Sequence, residues 1–342
     1  MRAVRMHRHG GPEVLAYEEA PDPAVGPTDV LVRVRAVSVN HIDIWVRNGL
    51  PRLRLQFPHI LGADVAGVVE ALGAAANDLE VGAEVMLAPG VSCGRCASCA
   101  AGDDTFCPTY SILGEHIDGG YAEQIAVPRV NVLAKPRHLS FEEAAAVPLV
   151  FVTAWNMLVT RARIRRGETV LIWGAGSGIG SAAIQIARLH GARVIATAGA
   201  AWKLDRARVL GALDMINHAE QDVYEEVRRL TNRRGVDVVF EHVGASTWET
   251  SLRLLARGGR LVTCGATTGG EGKTDIRYIF SRELSIHGAW LGPKRDLQSA
   301  MVPVSEGLLR PVVHEVLPLA KAAEAHAIMQ RREHFGKIVL VP

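Results

Sequence analysis

The sequence predicts a two-part α/β protein in which a β-rich, barrel-like domain precedes a doubly wound parallel sheet. Three observations predict it. Residues 168–199 read ETVLIWGAGSGIGSAAIQIARLHGARVIATAG, an apolar run, a glycine cluster and a helical period in direct succession. After that stretch, strand-like and helix-like segments alternate to about residue 290. Before it, short β-rich runs broken by Gly and Pro fill the first third of the chain.

The N-terminus, MRAVRMHRHGG, has no apolar stretch of the kind a secretory signal needs. VLVRVRAV at 30–37 and GVVEALG at 67–73 read as antiparallel strands, which sets a first domain over 1–129. The second domain, 130–290, holds the parallel sheet. Its first strand is TVLIW, 169–173, continuously apolar as a strand buried on both faces must be. Gly174, Gly176, Ser177, Gly178, Ile179 and Gly180 follow, and Ala182, Ile186 and Leu189 then recur on one helical face. Strand, glycine turn and helix in that order let a backbone approach a pyrophosphate while the helix N-terminus stabilises its charge. RVIAT (193–197), DMIN (214–217), VDVVF (236–240), RLVTC (260–264) and LSIHG (284–288) supply five more strands. Helical segments at about 202–211, 222–232 and 246–257 lie between the first four of them. The last segment, 291–342, with HEVLPL, a helix near 319–331 and GKIVLVP, returns to the first domain.

A dinucleotide site also needs a partner for the adenosine ribose, and NAD-binding chains place Asp or Glu at the end of the second strand. Here Thr197 is followed by Ala198, Gly199, Ala200, Ala201, Trp202 and Lys203, with no acid. Lys203, with Arg206 about one helical turn on, can reach a 2′-phosphate. NADPH is the expected cofactor, with NADH as the alternative if both cations are solvated helix charges.

Composition narrows the class. Apolar content of 48% beside 22% charged residues is that of an ordinary globular chain. A formal charge of +2 is too small to point to nucleic acid or an anionic membrane. The longest apolar run, Ala144–Trp155, falls well short of the roughly 20 residues that span a bilayer. A small-molecule substrate and a cytoplasmic location are the resulting expectations.

SCGRCASCAAGDDTFC, 92–107, contains four of the five cysteines, Cys93, Cys96, Cys99 and Cys107. Four thiolates suit the tetrahedral preference of zinc, and a closed shell of four leaves no position for water or substrate. One structural zinc ion in a lobe at about 90–110 is expected; two disulfides or four free thiols are the alternatives.

These parts together resemble the medium-chain dehydrogenase/reductases over essentially the whole chain. The resemblance implies a GroES-like catalytic domain, the cysteine lobe, the AAAVPLVFVTAW helix and a dinucleotide-binding domain. In the zinc alcohol dehydrogenases of that superfamily a second, catalytic zinc is held by a Cys-His-x-Asp-like segment, a Gly-His-Glu segment and a later cysteine. This chain has Asn40 where the first cysteine would be, Ala63 where the histidine would be, and no cysteine in Pro148–Thr153. His41, His59, Asp64 and His116 are the residues from which a substitute site could be assembled. Without a Lewis acid, carbonyl–alcohol exchange loses activation normally worth several kcal/mol, on the order of 10²-fold or more in rate.

The zinc-free members are quinone oxidoreductases and enoyl or enone reductases, and SVNHIDIWVRNG, 38–49, resembles their VNPxDxYxRxG stretch. Carried over, Asn40 and Asp43 fall at nicotinamide and substrate contacts, Trp45 falls where a tyrosine often stands, and Thr153 lies beside the nicotinamide. His41 is a secondary proton donor after water. A capping role for Asp43 and a core role for Trp45 are the alternatives. His218, after the third strand, takes the place of a Tyr or basic residue that relatives use, and Val243 and Gly265 follow the fourth and fifth strands as further cofactor contacts. The resemblance also implies a homodimer or homotetramer built through the strand near Leu284–Leu291. An alcohol dehydrogenase and a non-enzymatic NADPH-binding protein are the rival functions.

Overall fold

The computed structural model describes residues 1–51 and 53–342. They form two compact units, Met1–Leu149 with Pro293–Arg295 and Pro311–Pro342, and Val150–Gly292 with Asp296–Arg310.

In the first unit, Asp29–Ser38 is the central strand. Val30, Val32, Val34 and Ala36 point into the core while Arg33 and Arg35 stay outside, the two-residue period of a sheet with one buried face. It pairs antiparallel with Asp64–Leu72, which continues to Glu84–Leu87 and Val132–Ala134. Its other neighbours are Gln124–Pro128 along residues 29–33 and Lys337–Val341 at residues 37–38. Val313–Pro318 then pairs parallel with Lys337–Val341, so the C-terminal segment completes this sheet. A smaller sheet joins Leu15–Glu19, Arg2–Met6 and His59–Ile60.

The second unit is the doubly wound domain. Its six parallel strands run Asp214–Asn217, Arg193–Ala198, Thr169–Ile172, Val236–Glu241, Leu255–Thr263 and Ser285–Gly288 across the sheet. Every residue of Thr169–Ile172 is buried, as its apolar run requires. Helices Gly178–Leu189, Ala201–Leu210, Val223–Leu230 and Ala245–Leu254 provide the crossovers. Among the described residues no helix is long and apolar enough to cross a membrane.

Three boundaries differ from the sequence reading. The first unit extends to Leu149 instead of residue 129. The reason is packing: Val132–Ala134 is a strand of the first sheet, and helix Phe141–Ala145 lies against Asp29–Ser38 and Asp64–Leu72. Asp296–Arg310 groups with the parallel sheet, so only part of 291–342 returns. The AAAVPLVFVTAW segment is two helices, Phe141–Ala145 and Pro148–Trp155. Pro148 has no N–H, and its ring would clash with the carbonyl four residues back, so the first helix stops before it.

Candidate active site and metal lobe

The VNHID segment begins where the central strand ends. Asn40 caps helix His41–Asn48, and the Asp43 carboxylate accepts from the Asn40 N–H at 2.7 Å. His41 and Trp45, one helical turn apart, lie on its half-exposed face, edge to face with ring centroids 5.7 Å apart. Asn40 and Asp43 face inward and are buried.

Asn40 belongs to a cluster built around Asp64. Oδ1 of Asp64 accepts from the Leu149 N–H at 2.7 Å. Its Oδ2 accepts from Asn40 Nδ2 at 2.9 Å, from Lys337 Nζ at 3.1 Å and from the Ser38 hydroxyl at 3.1 Å. Lys337 also donates to Asn40 Oδ1, and Asn40 Nδ2 reaches the Ser38 carbonyl at 3.3 Å. Both Nδ2 hydrogens and the amide oxygen of Asn40 are thus engaged within the protein. Asp64, Ser38, Asn40 and Lys337 are all buried, and a buried ion pair is tolerable only with its remaining lone pairs satisfied, as they are here.

Asp43 is likewise tied into the protein. It is wholly buried and accepts from the Gly62 N–H at 3.1 Å and the Tyr121 hydroxyl at 3.2 Å. Burial pushes its carboxyl up to about 6, against the opposing N–H groups of Asn40 and Gly62 and the charge of Lys337. The network runs on: His326 Nε2 lies 3.0 Å from the Tyr121 hydroxyl, and His326 Nδ1 lies 3.0 Å from Arg47 Nη1. Arg47 can only donate, so Nδ1 accepts, Nε2–H donates to the Tyr121 oxygen, and Tyr121 donates to Asp43. Burial first, then the Arg47 charge, pushes His326 down to about 3, which keeps it neutral.

The proposed substitute metal ligands do not converge. Both nitrogens of His59 are engaged, Nδ1 with Asp118 at 3.2 Å and Nε2 with the Gly114 carbonyl at 3.1 Å. His116 Nδ1 accepts from the Ile112 N–H. Among the described residues, only Cys93, Cys96, Cys99 and Cys107 bring three or more potential ligands together, with all four sulfurs within 4.8 Å of one another. A tetrahedron with Zn–S bonds of about 2.3 Å has edges of about 3.8 Å; Cys96–Cys99 and Cys93–Cys99 stand at 3.5 and 3.9 Å. The thiols are free, and backbone N–H groups already point at two sulfurs, Cys93 N at Cys107 Sγ and Cys96 N at Cys93 Sγ. The residues therefore fit a closed zinc shell. Lys294 ties the lobe down, with Nζ 3.0 Å from Asp104 and 3.1 Å from the Ser92 hydroxyl.

In the second unit, the candidate cofactor residues lie along the C-terminal ends of the parallel strands, apart from Thr153, which is buried in helix Pro148–Trp155. Gly174 has φ +59°, and a Cβ on Gly180 would stand 2.4 Å from the Gly174 carbonyl oxygen, so this turn admits only glycine at both places. Ser177 caps helix Gly178–Leu189 by accepting from the Gly180 N–H at 2.9 Å. That leaves a close-packed backbone cradle at a helix N-terminus, with Ile179 half-buried beside it. Helix Ala201–Leu210 has no side-chain cap; Lys203 and Arg206 lie 5.2 and 5.7 Å from the Trp202 ring centroid. His218 Nδ1 is 3.3 Å from the Thr197 hydroxyl. The Val243 N–H donates to Glu241, and Gly265 follows Leu255–Thr263.

Comparison with known proteins settles the family. An alcohol dehydrogenase GroES-like domain model matches residues 26–137, and a zinc-binding dehydrogenase model matches 178–306. A quinone oxidoreductase from Sus scrofa is 32% identical over 100% of this chain and 98% of its own. The chain belongs to the medium-chain dehydrogenase/reductase superfamily. A crotonyl-CoA carboxylase/reductase from Cereibacter sphaeroides is 31% identical over 97% of this chain and 84% of its own. A crystal structure described as an NAD-dependent alcohol dehydrogenase superposes with TM-score 0.97 at 49% identity, covering 100% of both chains.

As a medium-chain dehydrogenase/reductase the protein is an NAD(P)H-dependent oxidoreductase. Of the residues in the buried network of the first unit, Lys337, Tyr121, Arg47 and His326 escaped the sequence reading. Lys337 left one trace, a lone cation opening the apolar run KIVLV, and Tyr121 stood in a glycine-rich loop without any pattern that marks a buried hydroxyl.

Proposed function

We propose that this oxidoreductase adds hydride to the β-carbon of an α,β-unsaturated carbonyl compound or to a quinone ring. The observation that supports the reading is the saturation of Asp64. With Asn40 and Ala63 at the positions discussed above, no cysteine in Pro148–Thr153, and both Asp64 oxygens engaged by Leu149, Asn40, Ser38 and Lys337, the described residues bring no three ligands together for a catalytic metal outside the cysteine lobe. An acceptor that delocalises its own developing charge is then favoured, since hydrogen-bond donors suffice to stabilise an enolate. The names of the quinone oxidoreductase and crotonyl-CoA carboxylase/reductase relatives agree with that class.

A bound nicotinamide supplies the hydride. The turn Gly174–Gly180, with Ser177, would hold its pyrophosphate, and Thr153, Val243 and Gly265 would flank it. Trp45 offers an indole N–H to the substrate oxygen, held by helix His41–Asn48, whose first turn is fixed by the buried Asn40 and Asp43. Solvent delivers the proton, with His41 as the side-chain alternative.

NADPH is the proposed form, because the strand Arg193–Ala198 is followed by small residues and by Lys203 and Arg206 instead of an acid. NADH is the second reading: both cations already pack on Trp202, and the structure at 49% identity is described as NAD-dependent. A homodimer or homotetramer through Ser285–Gly288 is proposed because that strand is the edge of its sheet, with Ile286, Trp290 and Phe280 exposed beside it. A cytoplasmic setting suits four clustered thiols that must stay reduced.

The test uses NADPH deuterated at C4 and a small enone. Label at the β-carbon supports the proposal. Label at the carbonyl carbon, with an allylic alcohol as product, returns the enzyme to the alcohol dehydrogenases.

A further inference from the structure

His242 stands where the strand order of the parallel sheet reverses. Thr169–Ile172 pairs with Arg193–Ala198 on one edge and with Val236–Glu241 on the other. Ligands of doubly wound sheets lie across the C-terminal ends of the strands at such a reversal. His242 is the first residue beyond Val236–Glu241 and is half-buried. Its Nε2 lies 2.8 Å from the Trp173 carbonyl oxygen. A carbonyl only accepts, so Nε2 carries the hydrogen and Nδ1 keeps a lone pair. Burial holds the ring below the usual histidine range, which preserves this neutral form. Among the described residues Nδ1 has no donor.

The neighbouring chain holds the imidazole in place. Glu241 is wholly buried and accepts from the Val243 N–H at 2.6 Å, the Gly244 N–H at 3.1 Å, and the hydroxyls of Thr247 and Ser251 at 2.8 and 2.7 Å. Trp173 Nε1 donates to the same Ser251 hydroxyl at 2.9 Å. The ring also lies against the glycine turn, where a Cβ on Gly174 would stand 3.0 Å from His242 Cε1.

We propose that His242 Nδ1 accepts a hydrogen bond from a hydroxyl of the ribose on the nicotinamide side of the cofactor, an inference that rests on the dinucleotide reading above. Lys203 and His218 follow strands on the opposite side of the reversal and would serve the adenosine half. The half that remains on the Val236–Glu241 side is the nicotinamide nucleoside. Its donors are the ribose hydroxyls, next to the pyrophosphate, and the carboxamide amine, at the far end of the ring. A histidine packed on the pyrophosphate turn meets the nearer group.

The experiment measures binding by calorimetry for three probes, NADPH, 2′-phospho-ADP-ribose and 2′,5′-ADP, on the full-length protein. His242→Gln keeps a donor toward Trp173 and removes the Nδ1 acceptor; His242→Asn keeps an acceptor near the Nδ1 position. For His242→Gln, affinity for NADPH and for 2′-phospho-ADP-ribose should each fall about tenfold, the effect of one neutral hydrogen bond. Affinity for 2′,5′-ADP should hold, and His242→Asn should recover most of the loss. A loss confined to NADPH would move the contact to the carboxamide and overturn the ribose assignment. Equal loss on all three probes, or none, would reduce His242 to a support of the turn. If the wild-type protein bound none of the three, NADH, ADP-ribose and ADP would take their places with the same outcomes; if it bound none of those either, the dinucleotide reading itself would fall, and this inference with it.

Discussion

Lys337 Nζ stands 3.1 Å from Asp64 Oδ2 across 273 residues of sequence, and both side chains are buried. This pair lies within the first unit. It ties the C-terminal strand to the central sheet and fixes Asn40, from which helix His41–Asn48 starts.

Removing one partner should therefore be costly. Lys337→Met leaves the Asp64 carboxylate buried without its cation, a change of about 3–5 kcal/mol. Urea unfolding should show a lower midpoint, and adding Asp64→Asn to the same chain should recover part of the loss. A midpoint equal to wild type would contradict the buried pair.

Acid stability should carry two opposed contributions. His326 titrates near 3 in the fold against 6.5 in the unfolded chain. Its folded value is lowered, so the unfolded state binds the proton first and stability falls as pH drops below 6.5, by about 3 kcal/mol at pH 4. Asp43 titrates near 6 against 3.8. Its folded value is raised, so it contributes stability as pH falls from 6 toward 3.8, about 2 kcal/mol at pH 4. His326→Gln should flatten the fall in Tm between pH 7 and pH 4, and Asp43→Asn should steepen it. The reverse ordering of the two variants would overturn the assignment.

The cysteine lobe should be structural. Metal analysis should return one zinc per chain, and Cys93→Ser should lower the Tm by opening the shell. Brief treatment with a chelator that spares a closed site should leave turnover intact. Rapid loss of turnover in a protein that stays folded would place a metal in the reaction.

Lys203→Ala should weaken NADPH binding by about 1.5–3 kcal/mol, the range for a hydrogen bond to a charged group, and leave NADH nearly unchanged. Equal binding of the two cofactors by the wild type would count against the NADPH preference.

Sedimentation at micromolar concentration should give a dimer or tetramer, and Ile286→Lys on the exposed edge strand should shift it toward monomer. A wild-type monomer would remove the edge-pairing proposal.

Much of this protein was legible in the chain because its signals are local. TVLIW and the glycines after it specify a buried strand and a close backbone turn within a dozen neighbours, so the parallel sheet and its cofactor edge follow directly. The four cysteines lie within one short loop, and their spacing alone brings the sulfurs together. The boundary near residue 130 was misplaced for the opposite reason: Val132–Ala134 belongs to the first sheet only because Glu84–Leu87 offers it a free edge.

What the tertiary structure alone decided is which side chains between Asn40 and Trp45 are buried and which stay half-exposed. The sequence offered Asn40 and Asp43 as nicotinamide and substrate contacts, Trp45 in the place of a tyrosine, and His41 as a secondary proton donor. Asn40 and Asp43 are drawn inward because Lys337, Asp64, Tyr121 and Gly62 offer them buried partners from distant segments. His41 and Trp45 remain outside because the helix turns them away. Hydrogen bonds that join Asn40 to Lys337 across 297 residues, or Arg47 to His326 across 279, have no local pattern. They exist only once the strands have paired, since it is desolvation in the folded unit that makes each unpaired polar group costly and so fixes its partner.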